Sequence, residues 1–232
     1  MILEHLSNIL ELFYPNDCIG CTRSLSKNDN ILCTHCFHDL PYAYYTQQEN
    51  NPLDQLFFGK IPLEFATSLL IFQPKGIVQN LIHELKYNNN QKIGALLGTL
   101  LSQEILSVKN LKPIDYIIPV PLHKNKLKSR GYNQLTSIGN NLSKHLKAPM
   151  LENILTKVNA SETQTKKNKL ARWENAKHNF QIQKNDSLKG KHVLLFDDVI
   201  TTGATIESCA IELLKTQNIT LSIASIAHTI NF

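Results

Sequence analysis

His192-Val-Leu-Leu-Phe-Asp-Asp-Val-Ile-Thr-Thr-Gly-Ala-Thr205 reads as a buried strand, a sharp acidic turn and the first turn of a helix, and the rest of the chain is placed relative to it. Val193 to Phe196 is apolar on both faces, the pattern of a central strand in a parallel sheet covered by helices on either side. Asp197 and Asp198 follow at the point where open α/β sheets place their ligands, outside the carboxyl end of a strand. Thr201, Thr202, Gly203, Ala204 and Thr205 then combine hydroxyls, small side chains, a residue free to take left-handed backbone angles, and a helix N-terminus with unpaired N–H groups. Acidic side chains accept hydrogen bonds from sugar hydroxyls, and a nest of N–H groups holds a phosphate, so a ribose 5-phosphate suits both halves. The plainer alternative is that the two acids cap the next helix and the glycine shapes a turn.

Working outward, 232 residues hold one sizeable α/β domain plus a small appendage, and a hydrophobic content of 42% is ordinary for a packed chain. The chain has no run of about 18 apolar residues, and Met1 to Phe13 is interrupted by Glu4, His5 and Glu11. Neither a membrane span nor a cleaved signal peptide is expected. The net charge of +5 is unevenly spread: residues 1–64 hold eight acids and three bases, leaving the remainder ten positive. Between Tyr116 and Leu151 there is no acid, while Lys124, Lys126, Lys128, Arg130, Lys144 and Lys147 supply six positive charges. Scattered lysines usually make a solvated face; clustered beside a phosphate cradle they point to polyphosphate or nucleic acid.

Cys18-Ile-Gly-Cys21 and Cys33-Thr-His-Cys36 give two C-x2-C knuckles eleven residues apart, the spacing of a closed four-thiolate Zn2+ site. Paired disulfides are the alternative. A fifth cysteine, Cys209, on the helix after the glycine loop, favours metal in a reducing cytoplasm and itself reads as a small buried hydrophobe. His35 is a spare donor that four cysteines make unnecessary. Residues 1–40 are therefore expected to hold an amphipathic helix over 2–13 and the ribbon, residues 41–64 a linker, and residues 65–232 the main domain.

Within that domain Ala66 to Phe72 reads as a strand, Gly76 to Tyr87 as a helix whose Lys86 complements the helix dipole, and Lys92 to Val108 as a further helix. Ile114 to Val120 is a strand followed by a charged loop and a helix from Asn133 to Leu146, a second strand–loop–helix unit facing the same crevice. Leu151 to Lys157 forms another strand. Val158 to Asn179, polar and basic, reads as a lid or as a solvated connector. A helix from Ala204 to about Thr216 and a strand from Thr220 to His228 close the chain.

An apolar strand followed by D-D-x-x-T-T-G-A-T resembles the signature of the type I phosphoribosyltransferases. The resemblance implies that Asp197 and Asp198 hold the ribose hydroxyls of phosphoribosyl pyrophosphate and that Thr201, Thr202, Gly203, Ala204 and Thr205 hold its 5-phosphate. The loop after the second strand then matches the one that meets pyrophosphate, with Arg130 the best single residue because a guanidinium grips phosphate bidentately. Lys124, Lys126 and Lys128 are further contacts to pyrophosphate or DNA, and Gln164, Lys166, Lys167 and Arg172 reach it from the lid. Together with the cysteine ribbon, Leu85-Lys86-Tyr87, Pro119-Val-Pro-Leu-His123, Arg130-Gly-Tyr-Asn-Gln134 and the Gln164…Arg172…Asn175…Phe180 pattern, the chain resembles the ComF family.

That resemblance implies a type I phosphoribosyltransferase-like α/β fold behind an N-terminal zinc ribbon, a cytoplasmic place in DNA uptake during natural competence, and handling of single-stranded DNA. Mg2+ is expected with phosphoribosyl pyrophosphate, and a competence helicase or another DNA-uptake protein as partner. Two departures stand out: Lys157 occupies a position where the family often has arginine, and Asn88 to Asn90 a stretch where it often has glycine. An active phosphoribosyltransferase of unknown acceptor, a nucleic-acid-handling module that has kept the crevice, and a protein-docking module all remain open. No residue stands out as a base for an acceptor.

Overall fold

Val193, Leu194, Leu195 and Phe196 are fully buried, as an apolar run between two layers of helix requires. The computed structural model describes residues 17–26, 29–88, 90–122, 132–157, 180–183 and 186–230. Its elements run α1 (Thr34–His38), a 3-10 turn (Tyr45–Gln47), α2 (Pro52–Phe57), β1 (Ala66–Ile71), α3 (Ile77–Tyr87), α4 (Gln91–Leu106), β2 (Tyr116–Pro119) and α5 (Gln134–Leu146). There follow β3 (Leu155–Lys157), β4 (Phe180–Ile182), a 3-10 turn (Asp186–Leu188), β5 (His192–Ile200), α6 (Ala204–Leu213) and β6 (Thr220–His228). Among the described residues no helix is long and apolar enough to cross a membrane.

The main sheet has four strands in the order β1-β6-β5-β2, all parallel. α4 packs on α5 and on β1 and β6, α5 packs on β2, and α6 packs on β5. This is the parallel α/β sheet flanked by helices that the apolar strand requires. The stripe expected on the helix after β1 is buried at Val78, Leu81, Ile82 and Leu85.

Strand β5 is longer than its apolar run. Asp197 and Asp198 do not form a sharp turn; they lie within the strand, whose ladder with β6 continues through Asp197 opposite Ser225 and Val199 opposite Ala227 to Ile200 opposite His228. β2 stops earlier, its last pair being Pro119 with Phe196. Beyond Phe196, therefore, β5 is paired on one side only, and a crevice opens where β2 has ended.

Both edges of the sheet are closed by short pieces of chain. At β1, Ala43 N donates to Leu69 O at 3.0 Å and Ile71 N to Pro41 O at 2.8 Å. At β2, Ile117 N donates to Pro149 O at 3.0 Å and Leu151 N to Ile117 O at 2.8 Å. Such cover removes the free ladder that invites pairing with another chain. It also corrects two expectations. The strand expected from Leu151 is confined to β3, which pairs antiparallel with β4 in a separate two-stranded unit.

The stretch 41–64, expected as a linker, is packed structure: Tyr45, Leu53, Phe57 and Ile61 are buried. Asn51 begins α2 with a reciprocal capping box to Asp54, and its Nδ2 donates to Ala66 O at 3.0 Å. The stretch lacks a visible period because it is built from one edge bridge, one 3-10 turn and a six-residue helix, each too short to show one. The helix expected over 2–13 lies outside the described residues, as do the loop carrying Lys124, Lys126, Lys128 and Arg130 and the segment carrying Gln164, Lys166, Lys167 and Arg172.

Candidate functional site

Alternation along β5 sends Phe196 towards α5, where its ring lies against Gly139, and the same face carries Asp198. Asp198 is buried, with two partners on that side: Lys86 Nζ lies 2.8 Å from Oδ2, and Gln134 Nε2 donates to the same oxygen at 3.0 Å. Lys86 is on the last turn of α3 and Gln134 on the first turn of α5, so the acid joins the ends of two helices to the sheet. Asp197 bends back, its Oδ1 accepting from the backbone N–H of Asp198 at 2.8 Å.

Both carboxylates face a crevice of about 180 Å3 whose walls include Lys86, Gln134, Lys157, Phe180 and Thr205. Lys157 Nζ stands 5.4 Å from the centre of the Phe180 ring, bringing β3 and β4 to the rim. Asp197 and Thr205 also line a shallow concavity formed by Thr201 to Ile206, so acids and loop are continuous.

The loop is shaped by Gly203, the N-cap of α6, at φ 74°. No side chain caps α6 there, which leaves its first N–H groups to the concavity. A side chain at 203 would also collide with α2: an ideal Cβ lies 2.9 Å from Phe57 Cε1 and 3.0 Å from Leu56 Cδ2. Glycine is thus required twice, by angle and by space. Lys60 Nζ sits 4.0 Å from Glu207 Oε2, an exposed pair that adds little.

Of the residues expected to share a site, the structure brings together Asp197, Asp198 and Thr201 to Thr205. It adds two that the sequence had assigned otherwise. Lys86 had been read as a dipole charge and instead pairs with Asp198, and Gln134 had been only the last letter of a motif. Helical spacing tells which face a side chain takes but not which strand end that face meets. Cys209 is fully buried, and burial pushes its thiol well above its ordinary value, with Asp197 adding to the effect. It is inert packing, as expected.

The four remaining cysteines form a second site: the Sγ atoms of Cys18, Cys21, Cys33 and Cys36 all lie within 4.8 Å of one another. Cys21 Sγ and Cys33 Sγ are 3.8 Å apart, matching the roughly 3.8 Å edge of a tetrahedron with 2.3 Å metal–sulfur bonds. Burial pushes the Cys18 thiol up, but N–H groups from Cys33, Cys21 and Gly20 outweigh it and bring the thiol down to about 7. In Cys36 burial and the neighbouring sulfurs push the same way, upward. His35 turns to Asp39 at 3.3 Å and is not part of the cluster. Four converging sulfurs, with backbone donors aimed at Cys18, fit a soft divalent metal.

No family model matches the chain. Competence protein F of Haemophilus influenzae is 31% identical over 210 residues, which cover 84% of this chain and 89% of that protein. The DNA utilization protein YhgH of Salmonella typhi is 30% identical over 224 residues, covering 95% and 94%. Among solved structures, an adenine phosphoribosyltransferase matches at 18% identity with a TM-score of 0.39, covering 65% of this chain and 74% of that one. With competence protein F 31% identical over more than four fifths of both chains, the chain belongs to the ComF family.

Proposed function

We propose that the crevice beside Asp197 and Asp198 binds phosphoribosyl pyrophosphate or a closely related 5-phosphate ligand, and that the protein uses it in the uptake and handling of single-stranded DNA. One observation carries the first part: two carboxylates at the unpaired end of a central parallel strand run directly into an uncapped helix N-terminus through Gly203. In this reading Asp197 and Asp198 accept from the ribose hydroxyls, and the N–H groups and hydroxyls of Thr201 to Thr205 hold the 5-phosphate. Lys86 and Lys157, both on the crevice wall, and Arg130 balance the pyrophosphate. Mg2+ would enter with that pyrophosphate and supply further charge neutralisation. The four-cysteine cluster takes Zn2+ as a structural ion, since four thiolates complete the tetrahedron and leave no open coordination position.

The DNA role is supported by the names of the relatives, a DNA utilization protein and a competence protein, and by the surplus of ten positive charges beyond residue 64. Lys124, Lys126, Lys128, Gln164, Lys166, Lys167 and Arg172 are the proposed contacts to pyrophosphate or DNA. A cytoplasmic location and a helicase or other DNA-uptake partner belong to the same reading.

Calorimetric titration with phosphoribosyl pyrophosphate and Mg2+ tests it. Wild type binds and the Asp197→Asn, Asp198→Asn double variant does not; equal binding in the two would remove the acids from the site. Reversing charge at Lys124, Lys126 and Lys128 weakens binding to a single-stranded oligonucleotide and flattens its salt dependence. An unchanged salt slope would exclude that loop from the DNA path.

A further inference from the structure

Ile31 and Leu32 of the cysteine ribbon, Phe37 of α1, and Ala95 and Leu96 of α4 line a groove of about 610 Å3 between the ribbon and the main domain. Phe37 is 40% exposed, although Cys36 before it and Leu40 after it are buried. Large apolar side chains gathered in an open groove mark a surface that something covers. Asp29 and Lys92 give the described lining one charge of each sign, so a strongly charged occupant is not called for.

The chain carries a matching apolar stripe close by. Its first described residue is Asp17, and two positions further on Ile19 N donates to Ile31 O at 3.1 Å, so the preceding chain ends within about 10 Å of the groove wall. Residues 2–13, outside the described residues, place Ile2, Leu6, Ile9, Leu10 and Phe13 on one side at helical spacing, with Glu4, Ser7, Asn8 and Glu11 opposite. Tyr14, Pro15 and Asn16 then span at most about 10 Å, which brings the Leu10 and Phe13 end of the stripe to the groove first. A helix as short as about 12 residues is marginal alone in water and needs a surface to hold it.

We propose that the apolar side of residues 2–13 docks as a helix in this groove of its own chain, across the seam between the ribbon and α4. Leu6, Leu10 and Phe13, spaced i, i+4, i+7, fill the groove against Phe37 and Leu96, while Glu4 and Glu11 stay in water. The segment then ties the ribbon to the main domain in addition to Asn80, whose Nδ2 donates to Ile19 O at 3.1 Å. A three-residue tether holds the stripe at a high effective concentration beside this groove, which favours the same chain over a second copy or a foreign helix. The inference concerns the seam and is independent of the ligand in the acid crevice.

The test is hydrogen exchange of the full-length protein, read by mass spectrometry over residues 1–16 at a low and a high protein concentration. Amides of 2–13 in wild type are expected to exchange about tenfold or more slowly than in a free peptide of the same sequence, equally at both concentrations. The Leu6→Glu, Leu10→Glu double variant puts charge on the stripe, Phe37→Glu and Leu96→Glu, made separately, put it in the groove, and each is expected to release the segment. Phe37 is exposed and residues 6 and 10 lie outside the described fold, so those variants keep the main domain folded. Glu4→Lys with Glu11→Lys, on the opposite side, is expected to leave protection unchanged. Fast exchange in wild type, or protection that survives both groove variants or the stripe variant, overturns the proposal. Protection that grows with concentration also overturns it, by giving the groove to the segment of a second copy.

Discussion

Lys86 Nζ stands 2.8 Å from Asp198 Oδ2 at the mouth of the crevice, and the buried acid depends on the lysine more than the lysine on the acid. The two losses are unequal. Lys86 is the more exposed and ends a helix, so it can swing its ammonium to water when Asp198 is neutralised. Asp198 is buried in a strand and cannot follow.

Lys86→Met is accordingly expected to cost about 1–3 kcal/mol of stability, because it leaves a largely buried carboxylate with Gln134 as its remaining described side-chain donor. Asp198→Asn should cost less, below about 1 kcal/mol. Urea midpoints of the two single variants and the double variant measure this. Equal costs would show that the pair is a surface contact of little weight.

Gly203→Ala should destabilise the protein by about 1–3 kcal/mol and, under the proposed function, weaken phosphoribosyl pyrophosphate binding, because alanine is strained at a φ of 74° and its Cβ meets Phe57 at 2.9 Å. Combining it with Phe57→Leu separates the causes. The double variant should recover the part due to collision and none of the backbone strain, a coupling read from thermal unfolding of the four proteins. Zero coupling would mean that α2 does not brace the loop.

Burial lowers the proton affinity of His228, whose Nδ1 is 2.9 Å from Tyr45 Oη. The unfolded chain takes up a proton at this site as pH falls through about 6.5, the folded protein only lower. The stability this residue contributes is therefore intact above about 6.5 and is lost as pH falls towards the folded value. Asp115, lowered by the His192 N–H and by Lys191, acts in the carboxylate range, below this window. Denaturation midpoints between neutral pH and about 5 should slope in wild type and flatten in His228→Gln. The same slope in both would assign the window to another group.

How far the sequence revealed this molecule depended on the length of each pattern. Val193 to Phe196, Thr220 to His228 and the stripe of α3 announced strands and a helix because several residues repeated one period. The acids were legible as a site because strong polar residues interrupted a buried run, but their neighbours were not. Lys86 is more than a hundred residues from Asp198, and their pairing follows from where β2 stops, which is a property of the sheet. The 41–64 stretch failed for the opposite reason, since its order comes from contacts with β1 and the glycine loop and not from its own periodicity. The cysteines needed no fold at all, because C-x2-C spacing fixes a knuckle locally.

The cysteine cluster yields the last expectation. Gly20 lies inside the first knuckle, and an ideal Cβ at that position would stand 2.8 Å from Cys36 Sγ and 3.0 Å from its Cβ. Gly20 also contributes one of the N–H groups that favour a thiolate at Cys18. Gly20→Ala keeps all four ligands yet pushes Cys36 away from the centre, so the site should hold metal more weakly while the Asp197 crevice stays intact. A second-layer change of this kind typically lowers metal affinity about 10- to 100-fold. Competition with a chromogenic chelator, read beside wild type and Cys36→Ser, measures it. Retention equal to wild type would mean that the knuckle has room to spare, and loss as complete as in Cys36→Ser would mean that the glycine is needed to form the knuckle at all.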